Sequence, residues 1–229
     1  PRILCAQRLL SDPMTTRDAL QARLEQGIAA LELSLPAGAV PRLLDYQALL
    51  ERWNAAYNLT AVRDPAEMIT RHLLDSLAVA KLVRGDSLAD LGTGAGLPGI
   101  PLAILAPERQ HTLIDSNGKK VRFLREAVRA LALTNVRVEQ SRVEDARGQY
   151  DCITARAFAT LGDMLRMGGH LLAPDGVWIA LKGQLSKDEI LGVPAGFVVA
   201  EVVVLAVPGL GAARQVAIIK RTNAQERAA

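Results

Sequence analysis

The sequence predicts an α/β protein with a doubly wound, mainly parallel sheet behind an N-terminal helical cap. Helically spaced leucines dominate the chain up to about residue 84. After Gly85, short apolar runs alternate with amphipathic stretches, and a glycine-rich turn follows the first run. Strands that alternate with helices form βαβ units, with parallel strands and helices on both faces of the sheet. We therefore divide the chain into two parts. Residues 1–84 form an N-terminal extension and helical cap, and residues 85–229 form the α/β domain.

Composition sets few limits on function. The chain has 229 residues, 50% of them apolar, and can bury one sizeable core. Lys and Arg number 27 against 24 Asp and Glu, so a polyanionic partner is allowed but not required. Cys5 and Cys152 are too few and too far apart for a disulfide framework or a metal cluster, which fits a reducing cytoplasm. We expect neither a membrane span nor a signal peptide.

Three helices are predicted before residue 84. The first has an apolar face with helical spacing, formed by Leu20, Leu24, Ile28 and Leu31. The second covers about residues 42–56. The third covers residues 65–83, with Asp64 as its N-cap and Pro65 at its first helical position.

Seven strands are predicted after Gly85. They lie in runs at residues 87–91, 110–115, 136–141, 150–155, 177–182, 197–207 and 214–220. The clearest helix between them covers residues 117–133, where an apolar face has helical spacing. In such a sheet, ligands bind outside the carboxyl ends of the strands.

The stretch DLGTGAGLPGIPLA, residues 90–103, lies at such an end. Gly92, Gly94 and Gly96 permit positive φ and let a ligand approach bare main chain. A helix from about Leu97 is expected to offer free N–H groups. A turn that serves packing alone is the alternative, but three alternating glycines exceed what a turn requires.

Two ligand classes compete for this turn. Gly94, Gly96 and Gly99 match the dinucleotide fingerprint, and Asp115 ends the next strand, where a ribose-binding acid is expected. Methyltransferases that use S-adenosylmethionine share this plan, so Asp115 does not separate the two classes. A P-loop is excluded because no G-K-[ST] follows the turn.

Charged residues follow the next two strands. Glu144 and Asp145 come after the third strand, where an adenine ring would be held, with a solvated acidic turn as the alternative. Arg156 ends the fourth strand, which favours a positioned cation over a free surface charge. An internal ion pair is the alternative for Arg156.

The motifs resemble one known family. The stretches are RWNAAYNLTAVRDPAEMITRHLLDSL, DLGTGAGLPGIPLAIL, TLIDSNGKKVRFLRE, QSRVED, ARAF and ALKGQ. They are similar to the bacterial ribosomal RNA small subunit methyltransferase G family, also called glucose-inhibited division protein B, over about residues 49–220. The resemblance implies a Rossmann-like class I methyltransferase that uses S-adenosylmethionine. It also implies N7-methylation of one guanine in the 530 loop of 16S ribosomal RNA, so the partner is that RNA or the small ribosomal subunit.

The resemblance also implies roles for single residues. Gly92 and Leu97, with Gly94 in the same loop, would line the methionine and ribose side of the cofactor. Asp115 would contact the ribose. The adenine would lie at Val143 and Glu144, and Arg156 would close the site. Ala95 stands where the family commonly has proline, which puts the rigidity of the loop in question.

Methylation at N7 needs no general base, because this guanine nitrogen carries a lone pair and no proton. The enzyme must supply approach geometry and an environment that accepts positive charge on the purine. We therefore assign no catalytic acid or base. His72 is the alternative proton acceptor, but a structural or RNA-facing role is favoured.

Cations near the carboxyl edge of the sheet are the candidates for RNA binding. Arg142, Lys182 and Arg214 lie at predicted strand ends or loops, where phosphates of a splayed-out guanine would lie. Their replacement by Ala should weaken RNA methylation more than cofactor binding. A second basic set is expected to be only a solvated helix face: Lys119, Lys120, Arg122, Arg125 and Arg129.

Trp53 and Tyr57 lie four residues apart and are expected to pack the cap against the sheet, although base stacking is the alternative. Asn54, Asn58 and Asp75 would then be buried hydrogen-bonding partners that tie the cap to the core.

Two other functions stay open from the residues alone. An NAD-type oxidoreductase would need a second mononucleotide half and a polar site for hydride transfer, and neither is found. A noncatalytic RNA- or ribosome-binding protein would predict a damaged glycine turn, whereas this one looks intact. We expect a cytoplasmic monomer with no metal and no membrane partner.

Overall fold

The computed structural model describes residues 16–156, 159–212 and 214–222. The first two helices are α1, Arg17–Ala30, and α2, Ala39–Tyr57, as predicted. The third helix begins with α3, Pro65–Met68, and Asp64 caps it by accepting a hydrogen bond from the backbone N–H of Glu67. Its predicted start is therefore confirmed.

The third helix is less regular than predicted. It continues as a π-helix over Ile69–Leu74 and as α4, Asp75–Leu77, and a separate 3₁₀ turn follows at Ala80–Leu82. The apolar positions of this segment fit a regular α-helix as well as a π-helix, so their periodicity does not reveal the π-helical turn. π-helical turns occur often at functional sites, and this one carries His72 and ends beside Asp75.

All seven predicted strands are present. They are β1 Ser87–Leu91, β2 Gln110–Asp115, β3 Val136–Gln140, β4 Tyr150–Arg156, β5 Leu172–Lys182, β6 Phe197–Leu205 and β7 Arg214–Arg221. Their order in the sheet is β3-β2-β1-β4-β5-β7-β6. Among the strands that the structure describes, only the pairs that involve β7 are antiparallel, so the mainly parallel sheet is confirmed.

The remaining helices connect the strands. They are α5 Gly99–Leu105, α6 Gly118–Ala130, α7 Leu161–Gly168 and α8 Lys187–Leu191, with 3₁₀ turns at Val143–Asp145 and Gly169–Leu171. The side chain of Asn117 caps α6 by accepting from the N–H groups of Lys119 and Lys120. Phe123 and Leu124 lie on the buried face of α6.

The N-terminal helices share a hydrophobic core with the sheet domain. Leu43 and Leu50 of α2 belong to the same buried cluster as Leu97, Ile100 and Phe123. The cap is thus packed directly against the helices that follow β1 and β2.

Strand order reverses between β1 and β4, because the chain proceeds from β1 to β2 on one side and from β4 to β5 on the other. The carboxyl ends of β1, β2, β3, β4 and β5 lie at one edge of the sheet. Antiparallel β7 begins at this edge, since Gln215 pairs with Lys182 at the end of β5. Open α/β sheets bind their ligands at this edge.

Cys152 is buried in β4, and burial raises the pKa of its thiol to about 11. Such a thiol is unreactive at neutral pH. Cys5 lies outside the described residues. Among the helices that the structure describes, none has the length and apolar composition needed to cross a membrane.

Candidate functional site

A glycine loop, residues 92–98, connects β1 to α5. Gly92, Gly94 and Gly96 have φ of 62°, 63° and 91°, so the predicted positive φ is confirmed. A Cβ at Gly94 would meet nothing closer than 3.9 Å, whereas a Cβ at Gly96 would lie 2.5 Å from the Ile100 side chain. Gly94 therefore leaves room for a ligand, while Gly96 serves close packing.

Asp90, near the end of β1, holds this loop in place through hydrogen bonds. Its buried carboxylate accepts hydrogen bonds from the hydroxyl of Thr93, from the N–H of Gly99 at 3.0 Å and from the hydroxyl of Thr154 at 2.9 Å. Burial raises the pKa of Asp90 to about 6, although these three bonds and Arg156 act in the opposite direction. Asp90 thus joins the loop, the first turn of α5 and β4.

The expectation of free N–H groups from about Leu97 is wrong. Gly96 and Leu97 both donate their N–H groups to the carbonyl of Thr93, and α5 begins only at Gly99, whose N–H is bonded to Asp90. The chain's own carboxylate occupies the position that a ligand anion would need. Leu97 is only 3% exposed and packs in the core, so its contact with a cofactor stays a prediction.

The loop is also held from the cap. Tyr46 of α2 is fully buried and donates its hydroxyl to the carbonyl of Ala95 at 2.7 Å. Its ring lies 6.4 Å from the ring of Phe123 on α6. A residue of the N-terminal cap is therefore part of the support of the glycine loop.

Asp115, at the end of β2, faces the glycine loop. One carboxylate oxygen accepts from the N–H of Gly94 at 2.9 Å and lies 3.8 Å from the ammonium of Lys120. The other accepts from the N–H of Asn117 at 2.8 Å. A carboxylate has about four acceptor positions, so Asp115 retains capacity for ligand hydroxyls.

A cavity of about 290 Å³, the loop cavity, lies over the ends of β1, β2 and β3. It brings together five residues that the sequence analysis singled out: Gly92, Asp115, Arg142, Val143 and Glu144. Its other lining residues are Ser116, Lys120, Ser141 and Met167. Val143 and Glu144 lie in the 3₁₀ turn after β3, where Glu144 is exposed as the acidic-turn alternative also requires.

A second cavity of about 320 Å³, the arginine cavity, lies over the ends of β4 and β5 and the start of β7. It is lined by Val62, Arg71, His72, Asp75, Arg156, Leu181, Lys182, Gly183, Leu205, Arg214, Gln215 and Val216. The predicted loops therefore converge on the same sheet edge but form two cavities. Arg156 lines the arginine cavity, so its role in closing the cofactor site stays a prediction.

Asp75 fixes two of the arginines. Its buried carboxylate accepts from Arg156 at 3.3 Å and from the Nε of Arg214 at 2.9 Å. The internal ion pair considered for Arg156 is thus realised. Asp75 also ties the cap to the sheet, as expected of it.

The three predicted RNA contacts are separated. Arg142 is exposed at the loop cavity, whereas Lys182 and Arg214 line the arginine cavity. The Lys182 side chain is only 12% exposed, and its ammonium donates to Glu189 at 2.6 Å and to the carbonyl of Ala159. Lys182 is therefore held in place, and its contact with RNA stays a prediction.

His72 is buried at the arginine cavity, with its Nε2 atom 2.8 Å from the hydroxyl of Thr60. Burial lowers the pKa of His72, and the charges of Arg156 and Arg71 act in the same direction, whereas a hydrogen bond with the Arg71 backbone and the charge of Asp75 oppose this shift. A neutral imidazole bonded to a neighbouring hydroxyl fits the structural role that the sequence favoured.

Trp53 packs against the sheet domain as expected, whereas Tyr57 is exposed. The rings of Trp53 and Tyr57 stack at 5.2 Å, and Trp53 lies 5.7 Å from Phe123 of α6. Asn54 of α2 is buried as predicted, but its side chain bonds to the backbone of Thr60 and Val62 in the segment that follows the helix.

Asn58 does not follow the expectation of burial. It is exposed, with φ of 50° at the end of α2, and accepts a hydrogen bond from Arg63. Asparagine tolerates this left-handed conformation better than most residues, which explains its position.

Sequence reasoning missed three residues of the site: Asp90, Tyr46 and Lys120. Asp90 had a signal, since an acid inside the apolar run that precedes a glycine turn must find partners when buried. Tyr46 also had one, because it shares the apolar face of α2 with Leu43 and Leu50, and a buried tyrosine needs a partner for its hydroxyl. Lys120 had none that separated it from the exposed cations of α6.

A family model and two relatives that bear the same protein name match most of this chain. The family model described as rRNA small subunit methyltransferase G, GidB, matches residues 39–218. Ribosomal RNA small subunit methyltransferase G of Stenotrophomonas maltophilia strain K279a is 57% identical over 203 residues, which cover 88% of this chain and 95% of the relative. The protein of the same name from Xanthomonas euvesicatoria pv. vesicatoria strain 85-10 is 53% identical over 204 residues, with the same coverage of both chains.

Solved structures share the fold at low sequence identity. TrmN from Thermus thermophilus superposes with a TM-score of 0.55 and 18% identity, covering 90% of this chain and 79% of its own. A SAM dependent methyltransferase from Aquifex aeolicus gives a TM-score of 0.52 and 22% identity, with coverage of 68% and 93%. These structures support the Rossmann-like class I methyltransferase architecture.

Proposed function

The chain belongs to the rRNA small subunit methyltransferase G family, and we propose that its product is N7-methylguanine in the 530 loop of 16S ribosomal RNA. The protein is an S-adenosylmethionine-dependent methyltransferase of 16S ribosomal RNA. The observation that carries the proposal is the pairing, at one sheet edge, of the loop cavity with the cation-lined arginine cavity.

The loop cavity suits the cofactor. The open space above Gly94 admits a ligand against the main chain, because a Cβ there would fill space that no protein atom occupies within 3.9 Å. Asp115 retains acceptor positions for the two ribose hydroxyls. Val143 and Glu144 follow β3, at the end of the cavity where the adenine would lie.

Bound S-adenosylmethionine supplies an electrophilic methyl group on a sulfonium. Transfer of this methyl group to N7 of guanine would break the S–C bond, leave its electron pair on sulfur and place the positive charge on the purine. The chain's residues then have to orient both partners and exclude water, with no proton to move. Burial lowers the pKa of His72, so its imidazole binds a proton weakly, and the reaction requires no proton acceptor at this position.

The arginine cavity suits the RNA. Arg71, Arg156, Lys182 and Arg214 line it with one carboxylate, that of Asp75, so the lining residues carry a surplus of positive charge. Arg156 and Arg214 are positioned by Asp75 before any ligand arrives, which reduces the ordering cost of binding. We infer that phosphates beside the target guanine bind here, and that Arg142 contacts RNA at the rim of the loop cavity.

The substrate follows from this assignment. RNA with its target nucleotide splayed out would reach both cavities, which is how proteins usually recognise single-stranded RNA. We propose that the enzyme acts as a monomer in the cytoplasm, on 16S ribosomal RNA or on the small ribosomal subunit.

The test uses purified protein, labelled S-adenosylmethionine and small subunits that lack the modification. We expect label in 16S ribosomal RNA at one guanine of the 530 loop, with cleavage chemistry specific for N7-methylguanine at that position. Arg214→Ala should raise the KM for RNA roughly tenfold and leave cofactor affinity within about twofold, because a charge-assisted bond contributes about 1.5–3 kcal/mol. The matched control is Arg17→Ala, which removes an exposed arginine paired with Asp45.

Label at another atom or nucleotide would refute the N7 assignment. Equal loss of cofactor and RNA binding in Arg214→Ala would refute the division between the two cavities. Calorimetric titration with S-adenosylmethionine and, separately, NAD distinguishes the oxidoreductase, which would bind NAD. Binding of RNA without any methyl transfer would favour the noncatalytic alternative.

A further inference from the structure

The glycine loop needs support from outside, because its own residues restrain it weakly. Gly92, Gly94 and Gly96 have no side chains that could pack, and glycine has the greatest backbone freedom. Ala95 supplies only a methyl group, which is buried in the core. Within the loop, the N–H groups of Gly96 and Leu97 bond to the carbonyl of Thr93, and the other restraints on its shape come from neighbouring elements.

The sheet supplies such bonds at both ends of the loop. Thr93 donates its N–H to the carbonyl of Ile114, and Gly94 donates its N–H to Asp115. At the far end, Gly99 is bonded to Asp90. The peptide between Ala95 and Gly96 lies at the middle of the loop, and the hydroxyl of Tyr46 binds its carbonyl at 2.7 Å.

We propose that Tyr46 is a positioning residue for the cofactor: its hydroxyl holds the Ala95 carbonyl and thereby keeps the glycine loop in the conformation that accepts S-adenosylmethionine. The inference rests on the proposed function, since it assigns the loop to that cofactor. It gives the N-terminal cap a part in cofactor binding, through α2, in addition to its part in the arginine cavity through Asp75.

The surroundings of Tyr46 suit this role. Its ring is fully buried and lies beside Phe123, so the hydroxyl is carried on a rigid support. Burial raises the pKa of Tyr46 well above its ordinary value, with Arg156 acting in the opposite direction. The phenol therefore stays protonated and remains a donor over the whole physiological pH range.

Loss of the hydroxyl should act on the free protein. The loop would then populate other conformations, and the cofactor would have to select the competent one, so its apparent Kd would rise by the inverse of the competent fraction. Once the cofactor is bound, the loop is ordered again and the chemical step is unaffected. The expected signature is a change in Kd and KM for the cofactor without a change in kcat.

The test is Tyr46→Phe, which keeps the ring and removes the hydroxyl. We expect the calorimetric Kd and the KM for S-adenosylmethionine to rise roughly tenfold, because one hydrogen bond to a buried carbonyl is lost. The kcat and the KM for RNA should stay within about twofold of the wild-type values. Hydrogen exchange of the amides in residues 92–98 should become faster in the free variant and return to the wild-type rate when cofactor is bound. The matched control is Tyr150→Phe. Tyr150 begins β4, at the end of this strand opposite the candidate site, so its variant should leave the Kd and KM for S-adenosylmethionine and the hydrogen exchange of residues 92–98 unchanged.

Several outcomes would overturn the inference. An unchanged Kd in Tyr46→Phe would do so, as would equal changes in Tyr150→Phe. A lower thermal stability with unchanged loop exchange and Kd would assign Tyr46 a purely structural role. If the wild-type protein itself fails to bind S-adenosylmethionine, the proposed function fails instead, and faster loop exchange in Tyr46→Phe would still report whether the hydroxyl holds the loop.

Discussion

Asp90 and Asp75 are buried carboxylates in different environments. Asp90 is surrounded by neutral donors, namely two threonine hydroxyls and one backbone N–H. Asp75 lies between Arg156 and Arg214. The first carboxylate organises the chain around β1, while the second holds two cations at a cavity. The same residue type thus contributes to the site in two ways, and its partners decide which.

The environment of Asp90 predicts a dependence of stability on pH. Its pKa is about 6 in the folded protein against an ordinary value of 3.8, so the folded state binds the proton more tightly. The contribution of Asp90 to the free energy of unfolding is therefore fully present below about pH 4 and is lost as the pH rises through 6. At about 1.4 kcal/mol per pKa unit, the loss is at most about 3 kcal/mol.

The measurement is urea unfolding between pH 4 and pH 8 for the wild type and Asp90→Asn. The wild-type minus variant difference in unfolding free energy should fall across this range. Asp163→Asn is the control, because the bond to Thr160 and the pairing with Arg166 lower the pKa of this exposed carboxyl, so its contribution is lost as the pH falls. Parallel profiles for the wild type and Asp90→Asn would contradict the role given to burial.

At the scale of elements, the glycine loop combines two requirements. Gly96 is confined by Ile100 and Leu124, so its lack of a side chain serves packing. Gly94 faces open space, so its lack of a side chain serves a ligand. A glycine motif in the sequence does not distinguish close packing from ligand binding, because both requirements select glycine.

Gly94→Ala and Gly38→Ala together separate backbone strain from ligand exclusion. Both glycines have φ near 70°, and neither would place a Cβ closer than 3.9 Å to another atom. Each substitution should therefore lower the free energy of unfolding by a similar amount, about 1–2 kcal/mol. Only Gly94→Ala should also weaken binding of S-adenosylmethionine, by at least tenfold, because its methyl group would occupy the open space beside the glycine loop, 4.0 Å from the ammonium of Lys120.

Chemical denaturation and calorimetric titration of both variants check this prediction. Gly38 is exposed at the start of α2, away from both cavities, so its variant should bind cofactor like the wild type. Equal cofactor affinity in the two variants would mean that the space above Gly94 is not used.

At the scale of the molecule, the cap is an integral part of the fold. α2 contributes to the core that also covers the glycine loop and α6, Tyr46 reaches Ala95, and Asp75 reaches β4 and β7. The division at residue 84 marks a change of sequence pattern. The hydrophobic core includes residues from both sides of this division.

We therefore predict that residues 85–229 alone do not form a stable domain. Removal of the cap would expose the apolar faces of α5 and α6, and burial contributes about 25 cal/mol per Å² of apolar surface. Circular dichroism of this fragment should show no cooperative thermal transition, whereas the full chain should show one. A cooperative transition in the fragment would establish two independent folding units.

The sequence by itself determined the class and order of elements. Apolar periodicity, short apolar runs and capping residues are local properties. They identified the first two helices, the seven strands and the Asp64 cap, with errors mainly at boundaries. Because parallel strands place their carboxyl ends together, the sequence also identified the sheet edge that carries the site. The family motifs supplied the chemistry that these patterns left open.

Only the tertiary structure decided how the site is divided. Arg214 meets Asp75 across 139 positions of the chain, and Tyr46 meets Ala95 across 49. Such contacts depend on how the cap lies against the sheet, which no local spacing specifies. Shorter-range contacts within the sheet domain bond the N–H of Gly99 to Asp90 and pair Lys182 with Glu189. Arg156 and Arg214, by contrast, are positioned at the arginine cavity by Asp75, a partner that is distant in sequence.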